Sequence, residues 1–289
     1  MNYRSPSQVA AEACRLAQNK VSLSIGQMLL LGILAGAYVA FAAWLYTVVT
    51  CDMTERFGMG FTKLVGASAF TVGLMMVIIG GAELFTGNCI MPLGVMAGYC
   101  SVSQMLRNWI WVFVANYIGS ALVAALMYAT GLWEGTIGAN AVKIAAGKMS
   151  LPFLQAFARG IACNWIVVLT VWMSMAAMDI ISKIGIIFFP IMAFLASGFE
   201  HSIANMYFLT FANFIKSSQM AALAGVSQEE LANVTWRGFF DNMIPVTLGN
   251  IVGGVLFVAC FYFLVYRREL LSLSNETADP SSRKKEAKS

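Results

Sequence analysis

The chain alternates long apolar stretches with short polar ones, and the lengths of those stretches carry the first information. Apolar segments occupy roughly 25–50, 63–98, 108–131, 153–177, 183–215 and 244–266. A helix needs about 20 apolar residues to cross the hydrocarbon core of a bilayer. The second and fifth segments are too long for one span, and each has a polar interruption: "GGAELFTGNCIMP" over 80–92 and "SGFEHSIANM" over 197–206. The pattern predicts two broken helices, each a pair of half-helices joined by irregular chain, and six spans in all. Ahead of the first span, residues 5–19 read as an amphipathic helix. Ser5 suits the N-cap, Pro6 the first helical position, and Gln8 completes a capping box. Val9, Ala13 and Leu16 form one stripe, which would lie along the membrane face or against the bundle. The connection 131–152 reads as polar and glycine-rich, and 216–243 as a longer external segment with several charges. From Arg267 the chain is charged and serine-rich, a composition of disorder. The expected division is a cytoplasmic helical segment 1–24, a transmembrane unit 25–266 and a cytoplasmic tail 267–289.

Composition agrees with this reading. Of 289 residues, 59% are hydrophobic and 11% charged, against about a quarter charged in a soluble domain. Runs of about 20 residues point to an all-α integral membrane protein, since barrel strands would show weak ten-residue alternations. The net charge of +4 comes without a basic stripe interleaved with aromatics, so nucleic acid is not an expected partner. Cys14, Cys51, Cys89, Cys100, Cys163 and Cys260 show no CxxC spacing and read as small buried apolar residues, with neither a disulfide framework nor a metal site. The N-terminus lacks the apolar core of a signal peptide. Positive-inside counting with both termini cytoplasmic gives eleven Lys and Arg inside (Arg4, Arg15, Lys20, Arg107, Lys183, Arg267, Arg268, Arg283, Lys284, Lys285, Lys288) against six outside (Arg56, Lys63, Lys143, Lys148, Lys216, Arg237).

The two interruptions resemble each other. One reads Glu83-Leu84-Phe85-Thr86-Gly87-Asn88, the other Glu200-His201-Ser202-Ile203-Ala204-Asn205. Each has Glu and Asn five positions apart and a glycine upstream. Asn-x-x-Gly follows one segment later in each half, as Asn116 with Gly119 and Asn250 with Gly253. Three spans in each half force the halves into opposite orientations, the pattern of an inverted repeat with broken helices in corresponding positions.

"AELFTGN" and "GFEHSIANM", with "ACNW" at 162–165 and "LGN" at 248–250, resemble the formate/nitrite transporter family over nearly the whole chain, and within it the bacterial hydrosulfide channels. The resemblance implies a homopentamer in a prokaryotic cytoplasmic membrane, an aquaporin-like protomer with one pore each, and cargo among the small monovalent anions of weak acids: formate, nitrite, hydrosulfide. It implies no cofactor, and no enzyme activity.

His201 is the single histidine of the chain. An ionisable group in a membrane core points to function, although a buried neutral ring bonded to backbone would look the same in sequence. The resemblance makes it pore-facing, with Thr86 opposite and Asn164 close by. Thr86 also suits a helix cap. Glu83 and Glu200 read as structural, because an ionised carboxylate in an anion path repels the cargo. With Asn88 and Asn205 they would support the loops. By spacing alone Leu74, Leu84, Phe194, Phe70 and Phe85 are packing residues. By resemblance Leu74, Leu84 and Phe194 form the cytoplasmic constriction, and Phe70 with Phe85 the periplasmic one. Lys20 and Lys148 precede the first spans of the two halves. They read as topology signals, or by resemblance as vestibule charges that concentrate anions. Arg159, just inside the fourth span, is a candidate partner for one of the glutamates.

A neutral-solute channel of aquaporin type shares the inverted repeat, but its Asn-Pro-Ala triplets are absent from this sequence. A metalloprotease needs at least two histidine ligands, and a Gly-x-Ser-x-Gly hydrolase turn is also absent.

Overall fold

The chain enters on α1 (Pro6–Ser22) in the computed structural model, which describes residues 3–278. The capping box forms: Ser5 Oγ accepts from the Gln8 N–H at 3.4 Å, and Gln8 Oε1 accepts from the Ser5 N–H at 2.8 Å. Val9 and Ala13 are buried because α1 packs against the bundle, on α6, α7, α9 and α15.

The first half continues through α2 (Ile25–Thr50), α3 (Met53–Phe70), α4 (Val72–Gly80), the short α5 (Phe85–Asn88) and α6 (Pro92–Met96), and α7 (Val102–Thr130). The second half holds α8 (Thr136–Met149), α9 (Phe153–Ala176), α10 (Ile180–Ala196), α11 (Ser202–Ile215), α12 (Ser218–Ala224), α13 (Gln228–Ala232) and α14 (Trp236–Gly254). A π-helical turn, Val255–Cys260, leads into α15 (Phe261–Ala278). Among the described residues five stretches are long and apolar enough to cross a membrane: Ile25–Thr50, Met53–Gly80, Val102–Thr130, Phe153–Ala176 and Trp236–Leu273. The fifth segment is two helices of 17 and 14 residues, α10 and α11, each too short alone, as a broken helix requires.

Three expectations change. The connection 131–152 contains α8, an alanine-rich helix with Ala139, Ala141, Val142, Ala145 and Ala146 buried. The segment 216–243, expected to be a long charged connection, contains α12, α13 and the first turns of α14. The final helix does not stop at 266 but runs to Ala278, held by packing on α1 and α6, with Leu270 fully buried. The rest of the predicted tail, 279–289, lies outside the described residues.

Both predicted breaks are present. α4 ends at Gly81 with φ 75°, and the chain after α10 turns at Gly198 with φ 79°. Each left-handed glycine stands two residues before its glutamate, Glu83 or Glu200. A side chain there would cost roughly 1–2 kcal/mol.

The most extensive helix pairs are α2 with α7 and α9 with α14. Each is drawn together by glycines spaced four apart on one member, Gly32 and Gly36 on α2, Gly249 and Gly253 on α14. Small residues let membrane helices approach to backbone contact. A Cβ built on Gly36 would stand 2.0 Å from the Asn116 carbonyl oxygen, and one on Gly253 2.2 Å from that of Ile161. Gly253→Ala is therefore expected to destabilise by about 1–3 kcal/mol, read as a lowered melting temperature in detergent. Gly147→Ala, on α8 with no heavy atom within 4 Å, should leave stability unchanged or raise it. Equal melting of Gly253→Ala and wild type would remove close packing as the reason for that glycine.

Candidate functional site

A broken helix leaves backbone donors and acceptors without helical partners. Here two asparagines supply them. Asn116 Oδ1 on α7 accepts from the Phe85 N–H at 3.0 Å, and its Nδ2 donates to the carbonyls of Gly32 (2.8 Å) and Glu83 (2.9 Å). Asn250 Oδ1 on α14 accepts from the Ser202 N–H at 2.9 Å, and its Nδ2 donates to Gly160 (2.8 Å) and Glu200 (2.9 Å). The two sets match bond for bond. The neighbouring glycines of the Asn-x-x-Gly pattern, Gly119 and Gly253, are where α7 meets α2 and α14 meets α9.

A second layer repeats equally. Lys20 Nζ, from the last turn of α1, donates to Glu83 Oε1 at 2.5 Å. Asn88 Nδ2 donates to Glu83 Oε2 and to Asn108 Oδ1, both at 2.8 Å. Asn108 Nδ2 donates to the Lys20 carbonyl at 3.4 Å. In the other half Lys148 Nζ, from the last turn of α8, donates to both Glu200 oxygens at 3.0 and 3.1 Å. Asn205 Nδ2 donates to Glu200 Oε2 at 2.6 Å and to Asn242 Oδ1 at 2.8 Å. Asn242 Nδ2 donates to the Lys148 carbonyl at 2.8 Å. Both ion pairs are largely buried, with side-chain exposures of 13% and 7% for Lys20–Glu83 and 16% and 5% for Lys148–Glu200. The glutamates thus sit in structural bonds, and the lysines are bound to carboxylates rather than standing free. Arg159 is not the partner of either glutamate. Its backbone carbonyl accepts from the Glu200 N–H at 3.3 Å, and its side chain lies on the protein surface.

Sequence reasoning missed Asn108 and Asn242. The signal was there: each stands eight residues before the asparagine that ties its loop, Asn116 or Asn250. Eight residues return a helix to nearly the same face.

The repeat fails at its centre. Leu84 corresponds to His201, and Thr86 to Ile203. The polar member of each mismatched pair reaches across to the other half: Thr86 Oγ1 and His201 Nε2 are 2.8 Å apart. Thr86 is fully buried and His201 nearly so. His201 also caps α11, its Nδ1 accepting from the Ala204 N–H at 3.1 Å. A backbone N–H only donates, so Nδ1 carries no hydrogen. The neutral ring then holds its proton on Nε2 and donates it to Thr86, which leaves the Thr86 hydroxyl hydrogen free for another acceptor. Thr86 does not cap its own helix, because Asn116 serves the Phe85 donor. Asn164 Nδ2 donates to the carbonyls of Thr86 (3.2 Å) and Asn250 (2.7 Å), while its Oδ1 is buried without a partner.

The apolar candidates are all buried. Phe194 meets Phe70 edge to face at 6.3 Å and lies 6.0 Å from the His201 ring. Leu74 and Leu84 line a cavity of about 340 Å³ that also reaches Lys20, Glu83 and Asn88. Phe85 packs on α7, 4.9 Å from Phe113 and 5.8 Å from Trp109. The structure therefore brings Phe70 to Phe194 and not to Phe85.

Comparison with known proteins agrees with this architecture. A family described as formate/nitrite transporter matches residues 7–264. A probable formate transporter of Methanothermobacter thermautotrophicus is 43% identical, covering 93% of this chain and 99% of the relative. The formate channel FocA of Escherichia coli K12 is 36% identical over 83% of this chain and 86% of its own. A solved pentameric formate channel with formate bound superposes with a TM-score of 0.74 at 37% identity, covering 84% of this chain and 97% of that one. An FNT family ion channel gives 0.73 at 29% identity, covering 90% and 98%. With its halves repeated bond for bond and its match nearly end to end, the chain belongs to the formate/nitrite transporter family.

Proposed function

We propose that the protein carries formate and chemically similar weak-acid anions, hydrosulfide and nitrite among them, past the Thr86–His201 pair. The observation that carries this reading is that pair: two buried polar side chains from opposite halves, hydrogen-bonded where the two breaks meet. The names of the relatives favour formate as first cargo. The conducting unit would be residues 25–266, one path per protomer of a homopentamer, in a prokaryotic cytoplasmic membrane. Both termini would be cytoplasmic, with α1 on that side.

In this reading Leu74, Leu84, Phe194 and Phe70 strip water from the cargo, since apolar constrictions bar hydrated ions. Phe85 supports the Thr86 turn from behind. A full charge in such surroundings is costly. The Thr86 hydroxyl offers the anion a hydrogen bond there, and neutralisation by a proton removes the remaining cost. Formate plus one proton from the vestibule gives formic acid. His201 relays that proton if the ring takes one at Nδ1, giving up its bond to Ala204, and releases the other from Nε2. Lys20–Glu83 and Lys148–Glu200 hold the two breaks in position while contributing no net charge.

Three outcomes follow. In liposomes holding the purified protein, formate, nitrite and hydrosulfide should cross, and chloride, whose conjugate acid is strong, should cross at least about tenfold more slowly, a barrier difference of about 1.4 kcal/mol. Chloride flux equal to formate flux would contradict the weak-acid reading. His201→Asn can still cap α11 through its amide oxygen but has no group that takes and releases a proton. It should conduct with a flattened pH response, whereas a full wild-type pH profile would remove His201 as proton donor. Lys148→Met leaves Glu200 buried and unpaired, a loss of about 3–5 kcal/mol. Formate flux should fall at every ionic strength, with melting temperature, and Lys148→Met with Glu200→Gln should recover part of both. A defect confined to low salt would make Lys148 an anion collector instead.

A further inference from the structure

The cavity beside Leu74 and Leu84 opens between α1, the end of α9 and the start of α10, and three cations line it: Arg4, Lys20 and Lys183. Lys20 is bound to Glu83, so its field falls away quickly. Of the two carboxylates lining the cavity, Glu83 is thereby taken, and Glu12 lies 3.7 Å from Arg15. Arg4 and Lys183 are in a different state. Arg4 Nη1 donates to the Met175 carbonyl at 2.8 Å and its N–H to that of Ala176 at 2.9 Å. Tyr3 forms an antiparallel bridge with Ala177. The start of the chain is thus clipped to the end of α9, which fixes Arg4 at the rim, and a carbonyl partner leaves its charge intact. Lys183, in the first turn of α10, has no side-chain partner among the described residues. Asp179, one turn earlier, accepts from the Ser182 N–H at 2.8 Å and hydroxyl at 2.7 Å; it keeps its charge but does not line the cavity.

We propose that Arg4 and Lys183, rather than Lys20, collect the anion on the α1 face of the path. This rests on the weak-acid anion reading above. The cavity lining carries three positive and two negative groups, a net excess of one. A cleft with low-dielectric walls focuses such a field and raises the local anion concentration. Lys183 serves through that field, without touching the Thr86–His201 pair.

The test is formate flux through oriented vesicles, from each face separately, in about 10 mM and about 300 mM supporting salt, where the Debye length falls from about 30 Å to under 10 Å. Lys183→Gln and Arg4→Gln are each expected to reduce formate flux from the α1 face about three- to tenfold at low salt, to match wild type at high salt, and to leave flux from the opposite face unchanged. Lys183→Arg and Arg4→Lys should behave as wild type. If both Gln variants equal wild type at low salt, or lose flux equally at every salt and from both faces, the proposal is overturned. The nitrite and hydrosulfide arms separate the two readings. A wild type that carries one of these but not formate sinks the formate reading, and the same comparison is then made with the anion carried. A wild type that carries none overturns both.

Discussion

A helix can stop inside a bilayer only where protein, or water held in a protein cavity, bonds the groups it abandons. The rest of this structure depends on how that demand is met twice. Asn116 and Asn250 each spend one amide on three backbone groups: an N–H at the start of the following helix, the carbonyl of the glutamate in the break, and a carbonyl of the packed helix, Gly32 on α2 or Gly160 on α9. An asparagine can do this only if its own helix comes close, which explains the glycine contacts between α2 and α7 and between α9 and α14. The left-handed Gly81 and Gly198 complete the turn. Close helix packing and broken helices are thus one requirement seen from two sides.

Around those breaks the molecule is built symmetrically, and at its centre it is not. Each half contributes a lysine, a glutamate and three asparagines in the same bonding pattern. Charge is confined there to pairs, as desolvation demands of buried ions. The symmetric frame holds the breaks and can be read as scaffold. Two of the differences between the halves, Leu84 against His201 and Thr86 against Ile203, place one hydroxyl against one imidazole at the meeting of the two breaks. In the proposed function the proton and the small anion are handled at that point, and the frame only holds it.

Much of this was legible in the chain. Span lengths and polar interruptions located both broken helices, because the cost of burying a bare backbone leaves a visible trace in composition. The Glu-to-Asn spacing exposed the repeat. What stayed hidden depends on contacts between distant segments. Lys20 is 63 residues from Glu83 and Lys148 is 52 from Glu200, so no local pattern pairs them, and in sequence both lysines read as topology signals or, by resemblance, as vestibule charges. The stretch that forms α8 reads in sequence as a polar, glycine-rich connection. Its place as the counterpart of α1, each ending in the lysine that binds a glutamate, emerges only once the halves are superposed. Phe85 reads from its spacing as a packing residue, and only the fold shows that it packs on α7, against Phe113 and Trp109.

The single histidine allows the central claim to be examined directly. Protein labelled with ¹⁵N-histidine in lipid bilayers gives signals from one ring alone. Solid-state NMR with ¹³C-formate should show an unprotonated Nδ1 and a protonated Nε2, with the ¹³C nucleus close enough to the ring to dephase its nitrogen signal. A ring that is protonated on Nδ1 while neutral, or that never senses formate in vesicles that conduct it, would contradict the account.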